Sequence, residues 1–206
     1  MGRRSTEAAG DGSWGNIESD ENMALTLIKE DGTGKADANS YAAVADANVY
    51  HDGHLYATAW TAATDDQKAV ALVMATRLID AEFQFNGTRT TAGQSLQWPR
   101  AMCPEPDNVH VPISVLLPIP YDYVQYDTVP KAVIQATCEM ARELLIVDRT
   151  AAPAGEGLKY YNAAGIQTGY DKTDRRPVLS QVAQVMLAKH GSQISAKSGS
   201  VRLVRA

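Results

Sequence analysis

"TDDQKAVALVMATRLIDAEFQFNG", residues 64–87, decides the fold class of this chain. Thr64 and Gln67 have the spacing of a capping box, in which each side chain satisfies a backbone N–H that the first helical turn leaves open. Behind that start, Ala69, Leu72, Val73, Thr76, Ile79 and Phe83 recur at helical spacing on one face. The pattern predicts an amphipathic helix roughly 30 Å long, broken off at Asn86-Gly87. Asp65 and Asp66 fall in its first turn, where negative charge favours the helix macrodipole, so they read as helix formers and not as acid catalysts.

A second helix is predicted downstream in "TVPKAVIQATCEMARELLIVDR", residues 128–149. Pro130 sits in the first turn, where a missing N–H costs nothing. Val133, Ala136, Thr137, Met140, Leu144 and Leu145 make the buried stripe, while Lys131, Glu139, Arg142 and Glu143 are expected to face water. Upstream, "ANSYAAVADANVYHDGH" (38–54) reads as an Ala-rich helix capped by Asn39 or Ser40, running to about Tyr50 and stopped by Gly53. A fourth helix is expected from Pro177 to about Lys189, with Gly191 as its cap.

Between these lie extended pieces. "MALTLIKEDGTG" (23–34) alternates like a strand and ends in a turn, and "LKYYNAAGIQTGYD" (158–171) reads as two short strands around Ala-Gly, after the flexible link "APAGEG" (152–157). The fold class is therefore mainly α: a small bundle of about four helices with a few short strands, a long proline-rich loop and an extended C-terminal arm. Residues 1–22 lack periodicity and are expected to be a disordered extension, with Met23 as the start proper. Residues 23–191 form the domain, with 102–128 as a proline-rich loop or hairpin insertion. Residues 192–206 are the arm: linker-like "SQISAKSGS", then "VRLVRA", strand-like and mixing apolar with basic residues.

With 206 residues, 45% hydrophobic and 21% charged, the chain can bury a core. "VPISVLLPIP" (111–120) is too short and too proline-broken to span a bilayer, so a soluble protein with no membrane contact is expected. The N-terminus has paired arginines but no apolar region for a secretory or twin-arginine signal, and its loose match to a myristoylation pattern reads as chance. Cys103 and Cys138 fit reduced thiols better than a disulfide framework. Charge divides unevenly: residues 1–22 carry five acids and two bases, 23–171 eighteen and ten, and 172–206 one and seven, for a net −5. An acidic body repels polyphosphate, whereas the basic end suits an acidic partner first and nucleic acid second.

Residue patterns that carry chemistry are sparse. His51, Asp52 and His54 in "YHDGH" have no third ligand group near in sequence, so no metal is assigned. Glu139 and Glu143 read as a solvated helix face. No phosphate loop, dinucleotide fingerprint, nucleophile elbow or zinc-protease motif occurs, and no catalytic residue or cofactor is assigned. Tyr121, Tyr123 and Tyr126 alternate and could stack on bases, but Asp122 and Asp127 make the wrong electrostatic setting; they are expected to line one face of a strand. Trp98, in the loop "QSLQWPR" (94–100), is read with Pro99 and Arg100 as an anchor. The indole pins the crossing segment to the helix pair, Pro99 stiffens it, and Arg100 reaches an acid or a helix C-terminus. The alternative is that this loop is presented to a neighbouring subunit.

Taken in order, "DANSYAAVADANVYH", "ATRLIDAEF", "QSLQWPR", "VPKAVIQATCEMARELL" and the terminal "RLVR" resemble a tailed-phage family known both as head–tail connector (adaptor) proteins and as DnaT-like single-stranded-DNA-binding proteins. The resemblance covers about residues 23–206, although the segment from Met102 to Thr128 is longer than the family pattern. It implies a structural virion protein at the neck, made in the host cytoplasm. Copies of the chain would form a ring, a dodecamer, beneath the portal protein, extend the channel through which dsDNA passes without specific binding, and dock the tail or a second adaptor or nozzle protein. Val201, Arg202, Leu203, Val204 and Arg205 would be the portal-docking arm. The same resemblance leaves two alternatives: a replication accessory that binds single strands, and a structural protein elsewhere in the tail.

Overall fold

The Thr64 hydroxyl accepts from Gln67 N while the Gln67 side chain accepts from Thr64 N, and from this closed box α3 runs over Asp65–Glu82 in a computed structural model. The structure describes residues 25–107, 123–151, 160–163, 166–169 and 176–194. Before α3 come α1 (Val44–Asp52) and α2 (Thr58–Ala62); after it come α4 (Lys131–Ile146) and α5 (Gln181–Leu187). The stripe read from the sequence is the stripe that is buried: Ala69, Leu72, Val73, Thr76 and Ile79 all lie inside. It packs along α4, whose Val133, Ala136 and Met140 are fully buried, and α5 lies on the far side of α4 through Leu179, Ala183 and Leu187. Each buried Val, Leu, Ile or Met among these contributes about 1.5–3 kcal/mol on leaving water, and the alanines let the helices approach closely.

Short antiparallel strand pairs accompany the helices. Strand β1 (Phe83–Phe85) follows α3 directly and pairs with β6 (Gly191–Gln193), with Gln84 opposite Ser192. This pair joins the end of α3 to the end of α5. Strand β2 (Thr88–Arg89) pairs with β3 (Arg100–Ala101), and β4 (Tyr160–Ala163) with β5 (Ile166–Gly169), the two extended pieces expected around Ala-Gly.

Several expectations are corrected. The described residues hold five helices, one more than expected, because the single turn α2 has no periodicity to betray it; Trp60 buries it. Neither Asn39 nor Ser40 caps α1. Asn39 spends its amide on Ile28 N and Thr26 O, the Ser40 hydroxyl is held at Ala42, and α1 starts after Ala43, whose N–H donates to Asp46. Residues 25–34 form no strand; a single parallel bridge joins Lys29 to Ser40.

Helix α5 begins four residues past Pro177, on the Ser180 cap, because Arg149 captures the carbonyls of Pro177, Val178 and Leu179 and removes them from helical pairing. Gly191 is not a helix cap. A Cβ there would meet Gln84 O at 2.3 Å, so the close pairing of β6 with β1 requires glycine. Ser192 and Gln193 belong to β6, and Ile194 N donates to Glu82 O. Val124 N donates to Cys103 O and Pro104 bridges Tyr123, while residues 108–122, most of the expected proline-rich loop, lie outside the described residues. Tyr123 lies at that bridge and Tyr126 in an exposed turn, so these two do not line a strand face; Tyr121 lies outside the described residues. So do residues 1–24 and 195–206, which include the N-terminal extension and all five residues of the expected docking arm.

Candidate functional site

The three loop residues singled out in the sequence meet at one place. Trp98 is completely buried, edge-on to Phe85 at 5.6 Å and to His190 at 5.9 Å between ring centroids. Pro99 follows through a cis peptide bond. Arg100 reaches neither an acid nor a helix C-terminus. Its Nε donates to Asn86 O at 2.7 Å, Nη2 to Gly87 O at 2.6 Å, and Nη1 to Gln97 O and Oε1 at 3.2 and 3.0 Å. A tight turn leaves carbonyls that no strand ladder uses, and a guanidinium has the fixed fork of donors to take several at once. Trp98 to Arg100 thus fasten the turn between β1 and β2 from inside the subunit.

A pair missed in the sequence holds the loop from the other side. Tyr41 Oη donates to Asp80 Oδ1 at 2.5 Å and accepts from Gln97 N and Trp98 N, while Asp80 Oδ2 accepts from Gln97 N at 3.0 Å. Burial pushes the Asp80 carboxyl up to about 6 even against these donors, and burial beside Asp80 pushes the Tyr41 phenol well above its ordinary value. A signal was present: Asp80 stands four residues after Thr76 and seven after Val73, on the buried stripe of α3.

The stripe of α4 carries a similar surprise. Glu139 and Arg142 do not face water. Glu139 is buried, and Arg142 bridges it to Glu143 at 2.7 and 2.8 Å; Arg149 adds a contact to Glu143 at 3.2 Å. His54 Nε2 lies 3.7 Å from Glu139 Oε2. His51 is buried against Trp60, and desolvation holds its pKa below the usual value, so it is neutral and its Nε2–H donates to Cys138 O at 3.2 Å. Arg142 thus offsets Glu139 and Glu143 inside the helix packing, while Glu139 Oε2, Arg142 Nε and His51 Nδ1 have no hydrogen-bond partner among the described residues. Among the described residues no three His, Cys, Asp or Glu side chains converge as a metal site, and Cys103 and Cys138 are buried free thiols, the latter pushed up to about 12 by burial.

Of the concave regions that open to the surface among the described residues, two concern a ligand most. One, of about 610 Å³, lies between Glu105–Asp107, Val124 and Gln125 on one side and the α4–α5 pair on the other. Its Lys189 is spent on Asp107 at 2.8 Å and Glu105 stands beside it, so the charge is mixed and poorly matched to phosphate. The other, of about 750 Å³, is an apolar groove between α3 and the end of α4, floored by Val70, Met74, Leu144 and Leu145. No helix among the described residues is long and apolar enough to cross a membrane.

The described residues thus define an α-dominant fold of five helices braced by short antiparallel strand pairs, with buried polar clusters that serve packing and an open apolar groove. The chain belongs to the family described as "Putative DnaT-like ssDNA binding protein", whose model matches residues 25–206. No curated protein and no solved structure matches it.

Proposed function

We propose that this chain is a structural virion protein that forms a ring between the portal and the tail of a tailed phage, extends the DNA channel and docks the tail. The observation that carries this reading is the division of charge: eighteen acids against ten bases in residues 23–171, one against seven in 172–206. An acidic wall lets duplex DNA slide because it offers phosphates no cation to release counterions against. A basic, partly apolar terminal segment suits docking on another protein by groove or strand addition. Trp98 to Arg100 stiffen each subunit for that role, and the reading includes no catalytic step. It is tested with the full chain and purified portal: wild type co-sediments, and Arg202→Glu with Arg205→Glu loses co-sedimentation while keeping its thermal transition. Undiminished portal binding by that variant would remove the arm from the account.

The second reading, single-strand binding, is favoured by the family's description. It needs a cationic groove with stacking aromatics. Tyr56, Tyr123 and Tyr126 are exposed, but the latter two stand between Asp122 and Asp127 in a segment without Lys or Arg. A labelled oligonucleotide shifted at micromolar protein, with affinity falling steeply as salt rises, would favour it over the ring.

A further inference from the structure

The groove between α3 and the end of α4 leaves apolar surface open: Val70 is 52% exposed, and Leu144 and Leu145 are only half-buried beneath it. Its rim is acidic, with Asp66 on the α3 side and Asp148 just past α4. An occupant that fits must bring apolar side chains together with cations. The last six residues of this chain, "VRLVRA", bring Val201, Leu203 and Val204 with Arg202 and Arg205, and no acid.

Reach agrees with chemistry. Ile194 N is tied to Glu82 O at the C-terminal end of α3. The groove floor at Val70 lies twelve residues back along that helix, about 18 Å at 1.5 Å per residue. Seven Cα–Cα steps lead from Ile194 to Val201 and span at most about 23–25 Å when extended. The segment can therefore arrive at the groove of its own subunit with no second chain involved.

We propose that this groove is the resting seat of the chain's own residues 201–206, held in cis until a partner withdraws them. The seat stands on the groove and the segment alone; only what withdraws the segment rests on the portal-docking reading. In the free subunit the segment covers exposed apolar surface, and the arginines pair with the rim carboxylates. Exposed pairs of this kind are individually weak and salt-sensitive, so the apolar floor supplies most of the hold and the acids set direction.

The test uses the full chain, alone in solution. Val204→Cys is combined either with Val70→Cys, in the groove, or with Ala81→Cys, an exposed position beside Glu82 and so nearer the tether. The native Cys103 and Cys138 are buried. A segment that merely diffuses on its tether closes the nearer pair at least as fast. Seating predicts that the Val70 pair closes within one chain on the order of tenfold faster. Adding Arg202→Glu and Arg205→Glu should slow that closure by about threefold to tenfold at low salt. Equal rates, faster closure with Ala81→Cys, or bridges between two chains overturn the proposal. A second readout needs no cysteine: the Met74 methyl resonance shifts in the Arg202→Glu, Arg205→Glu chain if the segment is seated, and an unmoved resonance contradicts it. Neither measurement involves portal, tail or DNA, so failure of the ring reading leaves both outcomes interpretable.

Discussion

Tyr41 and Asp80, 39 residues apart in the chain, share a 2.5 Å hydrogen bond, and both hold the backbone of Gln97. One carboxylate thereby joins the segment before α1, the helix α3 and the loop carrying Trp98. Its protonation sets a pH dependence. The folded-state pKa is raised from 3.8 to about 6, so between those values the folded protein keeps a proton that the unfolded chain has lost. Stability from this group is full below about pH 4 and falls as pH rises through about 6, by roughly 2–3 kcal/mol in all. His51 and His190, held below their ordinary pKa by burial, act oppositely, weakening the fold as pH falls below 6.5. The difference between wild type and Asp80→Asn cancels them. Urea unfolding from pH 4 to 7 should show wild type losing stability relative to Asp80→Asn as pH rises; a pH-independent difference would refute the assignment.

Trp98 is buried on all sides, yet its Nε1 has no hydrogen-bond partner among the described residues. Trp98→Phe therefore loses packing without losing a bond, at a cost of about 1–2 kcal/mol, whereas Trp98→Ala opens a cavity and costs about 3–5 kcal/mol. Chemical denaturation of both variants checks the gap between them.

Glu30 is buried and accepts from Gly32 N, Gly34 N and Lys35 N, closing the turn that rests against Asp127 before α4. Glu30→Gln turns one acceptor into a donor facing these N–H groups and should cost about 2–3 kcal/mol. Gly32→Ala meets a harder obstacle: φ is +101°, and a Cβ would lie 1.8 Å from Asp127 O. It should destabilise at least as much and expose the segment before α4 to proteolysis, which limited digestion would reveal.

Arg149 fixes α5 by donating to the carbonyls of Pro177, Val178 and Leu179. A lysine cannot reproduce that fork. Arg149→Lys should lower stability by about 2 kcal/mol, with faster amide exchange in α5 than in α3; equal exchange in the two helices would contradict this.

What was legible in the sequence was local. The Thr64–Gln67 box and the apolar stripe of α3 depend on residues three or four apart, and they stand as read. Asp80 and Glu139 lie on buried stripes, but their partners come from Gln97 and Tyr41 in one case and from Arg142 and the α1–α2 loop in the other. Spacing alone favoured solvent for Glu139, although its cation Arg142 stands three residues on along the same helix, because the packing of α1 and α2 over that face of α4 is tertiary and leaves no mark at helical spacing. The start of α5 shows the same limit: Pro177 is well suited to a first turn, and only the tertiary reach of Arg149 withdraws its carbonyl. Among the chosen site residues, Trp98 and Arg100 were legible as notable, while the carbonyls that Arg100 holds were not.

The ring at the neck is tested most directly by quantitative mass spectrometry of purified virions, comparing copies of this chain with copies of the portal subunit. A ratio near one is expected of a ring seated on the portal. Absence of the chain from the particle would contradict the ring and turn attention to single-strand binding.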